Sequence, residues 1–213
     1  MDDIALTLVA PYREYPDPPT VARFLMERRL GLAFDVGGNI GQAAKLLSRV
    51  ADRVISFEPV GQSVAAAREE KDPKGVVCQC AVSDHDGTVT LYIAQRSRLS
   101  GQLVSFEGLH WGDIEGSLEV RCFTLDTLAE VFGPPDMVKI DVEGHELLVL
   151  AGAAHTIAEV QPWMCVEVHA QEHEAPVREM LAGYDLRKVE HEHLAPRSPI
   201  RTNHFWLIGG PSG

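Results

Sequence analysis

The stretch LAFDVGGNIGQ, residues 32–42, constrains the fold of this chain more than any other segment. Its first five residues are apolar except for one acid, which predicts a buried strand. The glycines that follow allow a tight turn, because glycine adopts backbone angles that other residues avoid. Residues 42–50 then carry apolar side chains at helical spacing. A strand, a glycine turn and a helix N-terminus in this order predict a site for the anionic end of a nucleotide-like ligand.

Length and charge narrow the classes of partner. The 213 residues suffice for one α/β domain, and the net charge of -12 argues against binding a nucleic-acid backbone. No apolar run approaches the roughly 20 residues that span a bilayer, and the acidic start MDDIALTL does not resemble a secretory signal. We therefore expect a cytoplasmic protein that binds a small molecule and neither nucleic acid nor membrane. A homo-oligomer is left open, and the four cysteines are interpreted as buried thiols.

Strands and helices alternate along most of the chain, which predicts an α/β fold with a parallel sheet and helices on both faces. The predicted strands are 32–36, 53–59, 75–80, 137–141, 163–168, 184–190 and 203–208, and the predicted helices are 21–29, 42–50, 62–71, 125–131, 147–153 and 176–182. Two further segments, 88–93 and 118–123, alternate like half-exposed strands. Thr20 and Thr124 are predicted to cap the helices that follow them.

The predicted organisation is an N-terminal arm, residues 1–30, and a single domain over residues 31–213. The segment 94–117 is long and rich in Ser, Gly and charged residues, and we interpret it as an insertion that covers an acceptor substrate. A flexible loop without a function is the alternative.

Four chemically useful side chains stand at the ends of predicted strands: Asp35, Glu58, Asp141 and His169. Ligands of open α/β sheets bind at these carboxyl ends. An acid about 20 residues beyond the glycine turn accepts hydrogen bonds from ribose hydroxyls, which predicts this role for Glu58. The turn at 81–87 would then meet an adenine ring, with Val82 packing on the ring and Asp84 reaching its amine. Local turn hydrogen bonds of Asp84 are the alternative.

The chemistry of the turn favours one cofactor class over another. A dinucleotide places its pyrophosphate on G-x-G-x-x-G, but Asn39 stands where the second glycine belongs, and Asp35 would repel the phosphates. S-adenosylmethionine carries an ammonium and a sulfonium that suit Asp35 and Asp141, and its carboxylate can use the N–H groups of the turn. The sequence thus favours S-adenosylmethionine, with a nicotinamide-dependent oxidoreductase as the alternative.

Six segments occur in the order typical of one family: FDVGGNIGQ at 34–42, VISFEPV at 54–60, AVSDHDGTVTL at 81–91, TLDTL at 124–128, VKIDVEGHE at 138–146 and VEVH at 166–169. On these segments the sequence resembles the FkbM family of S-adenosylmethionine-dependent methyltransferases. The resemblance implies a Rossmann-like class I fold, a seven-stranded mostly parallel sheet whose last strand is antiparallel, with NHFWLI as the candidate.

The resemblance also implies methyl transfer, usually to a hydroxyl of a sugar, macrolide or other natural product. By matching motif, four residues of the turn would line the methionine end of the cofactor, namely Asp35, Gly37, Asn39 and Gly41. Glu58 would hold the ribose, and the AVSD turn would meet the adenine. A catalytically silent S-adenosylmethionine-binding partner subunit is a second alternative.

A hydroxyl acceptor needs a general base as its new bond forms. The candidate catalytic residues are His169, Asp141, Glu143 and His145. Each has a simpler interpretation: Asp141 as a cofactor ligand, Glu143 and Glu146 as complements of a helix N-terminus, and His145 as a solvated residue.

A metal set is conceivable from the sequence, since Asp141, Glu167, His169 and His173 offer ligand atoms and further histidines lie at 191, 193 and 204. A histidine-rich acidic surface is the commoner meaning of such a pattern, so no metal ligand is assigned.

Overall fold

The protein is described by a computed structural model over residues 18–69, 74–94, 101–103, 114–190 and 204–213. The strands are β1 (Leu30–Val36), β2 (Ala51–Phe57), β3 (Gly75–Cys78), β4 (Ala81–Val82), β5 (Gly87–Ala94), β6 (Gly101–Leu103), β7 (Ile114–Phe123), β8 (Met137–Ile140), β9 (Trp163–Val168), β10 (Tyr184–Glu190) and β11 (Phe205–Pro211). The helices are α1 (Pro19–Met26), α2 (Gln42–Leu47), α3 (Gly61–Glu69), α4 (Leu125–Phe132), α5 (Glu146–Ala151) and α6 (Glu174–Met180). A π-turn at Thr156–Val160 and a 3₁₀ turn at Gln171–His173 complete the elements.

The main sheet has seven strands in the order β10-β11-β9-β8-β1-β2-β3. β11 runs antiparallel to both of its neighbours, whereas the other pairings are parallel. The predicted class I architecture with an antiparallel last strand is confirmed. The strand order reverses between β1 and β8, so the carboxyl ends of these two strands mark the switch point where ligands of such sheets bind.

The strands of the main sheet bury side chains on both faces, because neighbouring residues of a strand point to opposite sides. Phe34 belongs to a core with residues of α4, α5 and α6, such as Leu128, Leu150 and Val177. The adjacent Ala33 belongs to a second core under α1 and α2. Helices on both faces of the sheet were predicted from the alternation of elements, and the structure confirms them.

A second, four-stranded sheet has the order β4-β7-β5-β6. β5 pairs with β7 in antiparallel fashion. Leu91 of β5 and Val120 and Cys122 of β7 are buried. Both strands were predicted, but not their partnership in a separate sheet. Because only one of their faces is apolar, they pair with each other instead of joining a sheet that is covered on both faces.

The predicted insertion at 94–117 has different limits in the structure. β5 continues to Ala94, β7 begins at Ile114, and Gly101–Leu103 pairs with β5 as β6. The remainder of this segment, with His110 and Trp111, lies outside the described residues, as do residues 1–17 and the histidines at 191 and 193.

The two helix caps that the sequence predicted have different outcomes. Thr124 caps α4, since its hydroxyl oxygen accepts a hydrogen bond from the Thr127 N–H at 3.0 Å. The prediction for Thr20 is wrong because α1 begins at Pro19, two residues earlier than predicted, which places Thr20 within the helix. A proline in the first turn of a helix loses no hydrogen bond, since that N–H has no partner within the helix. Among the described residues no helix has the length and apolarity needed to cross a membrane.

Candidate functional site

The glycine turn follows β1 and packs against the end of β8. Gly37 and Gly41 have φ of 77° and 88°, and Asn39 between them has φ of 47°. A Cβ atom on Gly37 would come within 1.8 Å of the Asp141 carbonyl oxygen. Only glycine permits this approach, so the turn is held directly against the residue that ends β8.

The N–H groups of the turn donate hydrogen bonds within the protein. Those of Gly37 and Gly38 donate to the Phe57 carbonyl at 3.0 and 3.1 Å, and that of Gly41 donates to the Gly38 carbonyl. The Asn39 N–H donates to Glu58 Oε2 at 2.9 Å. These four groups therefore already have acceptors, contrary to the expectation that they serve the carboxylate of a cofactor. Three of the four donate to Phe57 and Glu58 at the end of β2, which lies close to the turn.

Glu58 is fixed beside the turn at the end of β2. One carboxylate oxygen accepts from Asn39 and the other accepts from the Val60 N–H at 2.8 Å. Burial raises the pKa of Glu58, and the two backbone hydrogen bonds only partly oppose this shift. Each carboxylate oxygen keeps a second lone pair, so a role in holding ribose hydroxyls stays a prediction.

Asp35 is fully buried and reaches the site through Lys139. Its Oδ1 lies 3.1 Å from Lys139 Nζ, and its Oδ2 accepts a hydrogen bond from Ser56 at 3.2 Å. Lys139 Nζ also donates to the Gly37 carbonyl and lies 3.5 Å from Asp141 Oδ2. We expected Asp35 to line the cofactor directly. Asp35 is buried, however, and Asp141 is the accessible one of the two carboxylates that contact Lys139.

Asp141, Glu143 and His169, which the sequence predicted as catalytic candidates, come together at the carboxyl ends of β8 and β9. His169 Nε2 lies 3.5 Å from Asp141 Oδ1 and 3.6 Å from Glu143 Oε2. The opposite ring nitrogen, Nδ1, makes a 2.5 Å hydrogen bond with the buried carboxylate of Glu146. His173 also contacts Glu146, through its Nδ1 at 3.2 Å. The carboxylate of Glu146 therefore fixes the ring orientation of His169.

The charged residues of this group shift one another's pKa values. Burial lowers the pKa of His169, but the hydrogen bond to Glu146 and the charges of Glu167 and Glu143 raise it to about 10. Burial raises the pKa of Glu146, but hydrogen bonds from His169 and His173 lower it to about 2. For Asp141, burial also raises the pKa, yet Lys139 and His169 bring it below its ordinary value.

His145 lies apart from these residues. Its Nε2 is 3.0 Å from the Ser83 hydroxyl, and the side chain is buried, which contradicts the interpretation as a solvated residue. Its Nδ1 is buried without a hydrogen-bond partner among the described residues. Burial lowers the pKa of His145 to about 4, so the ring is neutral at neutral pH. Its contacts connect it to the turn after β4.

The residues predicted to meet the adenine differ in exposure. Val82 is buried in the core, whereas Asp84 is exposed. Asp84 Oδ1 accepts a hydrogen bond from Ser83 at 3.2 Å and lies 2.7 Å from His85 Nδ1. The alternative of local turn hydrogen bonds thus describes what Asp84 does in the structure, and adenine binding stays a prediction.

Sequence reasoning missed several residues of this site or gave them another role. Lys139 was not singled out, although a charged residue within the buried strand MVKI signals a buried partner. Glu146 was interpreted as a helix-end acid; it does accept the Gly144 N–H at 2.8 Å, and it also orients His169. Glu167, a charged residue within the apolar strand WMCVEV, and His204 were considered only as possible metal ligands.

The comparisons with known proteins identify the family of this chain. The model of the methyltransferase FkbM domain matches residues 35–193, which span the glycine turn and every residue of the site except His204. The chain belongs to the FkbM methyltransferase family. This FkbM domain is 34% identical over 161 residues to the hexuronic acid methyltransferase AglP of Haloferax volcanii. The alignment covers 70% of this chain and 62% of AglP, so the chain spans less than two thirds of that relative.

Solved structures share the fold of the FkbM domain. Methyltransferase FkbM from Methylobacillus flagellatus KT superposes with a TM-score of 0.55 at 14% identity, covering 84% of this chain and 43% of that chain. Magnesium protoporphyrin IX methyltransferase from Synechocystis PCC 6803, solved with bound S-adenosylmethionine, gives a TM-score of 0.53 at 13% identity, covering 91% and 77% of the two chains. At these identities the likeness shows the fold alone.

Proposed function

We propose that this protein is an S-adenosylmethionine-dependent methyltransferase that methylates a hydroxyl of a sugar-like small molecule. The observation that carries the proposal is the meeting of Asp141, Glu143 and His169 beside the glycine turn of an FkbM domain. Because the relative AglP is named for a hexuronic acid, a hexuronic acid is the first acceptor to test.

The residues at the strand ends fit the proposed cofactor. When bound, S-adenosylmethionine supplies a methyl group on a sulfonium, which a hydroxyl oxygen attacks directly. Asp141 is partly exposed and offers its charge to the cofactor ammonium, and Glu58 offers lone pairs to the ribose hydroxyls. Carboxylates in these positions suit a cationic ligand and repel a pyrophosphate, which disfavours a nicotinamide dinucleotide.

Glu143 is the residue placed best to take the proton from the acceptor hydroxyl. It has φ of 52°, a backbone conformation that is costly for a residue with a Cβ and that occurs often at functional sites. Its side chain is 35% exposed, whereas that of His169 is 2% exposed, so Glu143 is the group an acceptor meets. In this scheme His169, held by Glu146, lies beside the Glu143 carboxylate at 3.6 Å.

Binding and methyl transfer test the proposal separately. We expect S-adenosylhomocysteine to raise the melting temperature of the protein, and NAD to leave it unchanged. A shift with NAD alone would favour the oxidoreductase. Labelled S-adenosylmethionine is then offered with glucuronic acid and, as a matched neutral acceptor, glucose. Binding of the cofactor without methylation of any acceptor, including those in a metabolite extract, would favour the silent partner subunit.

The role of Glu143 is tested by Glu143→Gln, which keeps the shape of the side chain but removes its basicity. A lost general base lowers kcat by about 10²–10⁴-fold. The melting shift caused by S-adenosylhomocysteine should stay as in the wild type, because the substituted group does not hold the cofactor. A Glu143→Gln variant with wild-type kcat contradicts the assignment.

A further inference from the structure

We infer that Glu167, His169 and His204 form a binding site for one divalent transition-metal ion. The antiparallel pairing of β9 and β11 brings these residues together. Phe205 pairs with Val168, so His204 comes opposite His169 across the ladder. All three side chains are buried, with exposed fractions of 6%, 4% and 8%.

The separations of the ligand atoms suit a single ion. His169 Nε2 lies 3.9 Å from Glu167 Oε2, and His204 Nδ1 lies 3.9 Å from Glu167 Oε1. One ligand atom from each of the three residues lies within 4.8 Å of the others. Metal–ligand bonds near 2.1 Å place two ligands of one ion about 3.0–3.5 Å apart, so side-chain movements below about 1 Å complete the site.

The tautomer of His169 is the one that a ligand needs. Glu146 holds Nδ1, so the lone pair of the neutral ring is on Nε2, the atom that faces the site. A carboxylate behind a histidine in this way is the usual support of a histidine ligand. Three carboxylate oxygens, from Asp141, Glu143 and Glu167, lie 3.5, 3.6 and 3.9 Å from Nε2, which is longer than a normal hydrogen bond. Coordination uses the neutral imidazole, so the ion replaces the proton on Nε2.

The kind of ion follows from the ligands. Two imidazoles and one carboxylate suit Zn²⁺, Mn²⁺, Fe²⁺ or Co²⁺ better than Mg²⁺ or Ca²⁺, which prefer oxygen ligands. Asp141 and Glu143 approach the same Nε2 atom and are 26% and 35% exposed, so the remaining positions of the ion face the accessible side of the site. His173, which the sequence suggested as a ligand, instead contacts Glu146.

A metal ion here would compensate the negative charges that repel the proposed acceptor. This step rests on the proposed function. The carboxylate of a hexuronic acid is repelled by Asp141, Glu143 and Glu167. A divalent cation between them binds the acceptor oxygens and makes a bound hydroxyl more acidic.

The site is tested by titrating the chelator-treated protein with Co²⁺ in the absence of cofactor and acceptor. Binding is followed by isothermal titration calorimetry and by visible absorption spectroscopy. We expect one Co²⁺ per chain with visible ligand-field absorption. Glu167→Gln and His204→Gln should each weaken binding at least about 10-fold, and Glu146→Gln should weaken it about 10–100-fold through the support of His169. Circular dichroism of the metal-free variants verifies that they are folded.

Two controls separate this site from other histidines. His155→Gln removes an exposed histidine, and a double substitution, His191→Gln with His193→Gln, removes the sequence cluster that also offers metal ligands. Both should bind Co²⁺ as the wild type does. Absence of stoichiometric binding, binding unchanged in Glu167→Gln and His204→Gln, or binding lost only in the double variant would overturn the inference. Binding of S-adenosylhomocysteine, measured on the same samples, reports on the proposed function independently.

Discussion

Lys139 is the side chain that joins the charges of two neighbouring strands of the main sheet, β1 and β8. It is 3% exposed, and its ammonium contacts Asp35 at the end of β1, the Gly37 carbonyl of the turn and Asp141 at the end of β8. Ser56 of β2 adds a hydrogen bond to Asp35. Since a buried charge without a partner is costly, this lysine stabilises the geometry of the switch point.

Replacing Lys139 with Met leaves the Asp35 carboxylate buried without its cation. We expect Lys139→Met to lower the free energy of unfolding by about 3–5 kcal/mol, measured by urea denaturation. Lys45→Met removes an exposed lysine and should change stability by less than about 0.5 kcal/mol. Adding Asp35→Asn to Lys139→Met should restore much of the loss. A double variant no more stable than Lys139→Met would mean that the Asp35 charge is not the cause.

The backbone at Glu143 predicts opposite effects on stability and activity. A left-handed residue with a Cβ is strained by about 1–2 kcal/mol, and glycine relieves this strain. Glu143→Gly should therefore raise the melting temperature while abolishing methyl transfer. Gln161 has the same conformation, φ 53°, at an exposed position away from the site, so Gln161→Gly should be stabilising and fully active. A Glu143→Gly variant that is both destabilised and inactive would count against stored strain at this turn.

At the scale of elements, the motif TLDTL acts as a structural connection. Asp126 in the first turn of α4 accepts three hydrogen bonds from the segment that follows α5. Its Oδ2 accepts the His155 N–H at 3.0 Å, and its Oδ1 accepts the N–H and hydroxyl of Thr156, both at 2.7 Å. One carboxylate thus fixes how α4 packs beside the π-turn that leads into β9.

Asp126→Ala removes all three of these hydrogen bonds. Since hydrogen bonds to a carboxylate are stronger than those between neutral groups, we expect a loss of about 2 kcal/mol in the free energy of unfolding. Glu130→Ala on the exposed side of the same helix is the matched control and should have little effect. The Asp126 variant should still bind S-adenosylhomocysteine at temperatures where it is folded, because the contacts it loses are structural. A stability equal to that of the control would refute this interpretation.

For the whole molecule, His145 makes stability depend on pH below neutrality. Burial lowers its pKa from 6.5 to about 4. Between these values the unfolded chain binds a proton that the folded chain does not, so stability rises with pH in this window and falls as the pH is lowered from about 6.5 to about 4. His169 and His173 have raised pKa values, and the stability that they contribute is retained in acid.

Removing the imidazole of His145 should flatten this dependence. Because of this pKa shift, we expect the free energy of unfolding of the wild type to fall by about 2 kcal/mol between pH 7 and pH 5. Urea unfolding at the two pH values should show a smaller fall in the free energy of unfolding for His145→Gln than for the wild type. This holds even if the variant is less stable at pH 7. His155→Gln, at an exposed position, serves as the control. An equal loss in His145→Gln and the wild type would exclude His145 as the source.

The centre of the main sheet was predictable because β1, β8 and β9 carry nearly continuous apolar runs. The limits of β9 and β10 agree with the sequence prediction, and the last strand runs antiparallel as expected. The partnership of β5 and β7 was not predictable, since alternation shows which face of a strand is buried but not which strand pairs with it. In the site, the positions of Glu58, Asp141 and His169 followed from the strand ends, whereas Asp35 proved buried.

The amino-acid sequence by itself determined the order of strands and helices, the glycine turn and the family, because periodicity and local motifs are properties of neighbouring residues. Only the tertiary structure decided which charges meet. Lys139 joins Asp35 across the pairing of β8 with β1, and His204 reaches His169 across the pairing of β11 with β9. Such contacts depend on the pairing of strands that are far apart in the chain, and the pattern of one strand does not show which other strand lies beside it.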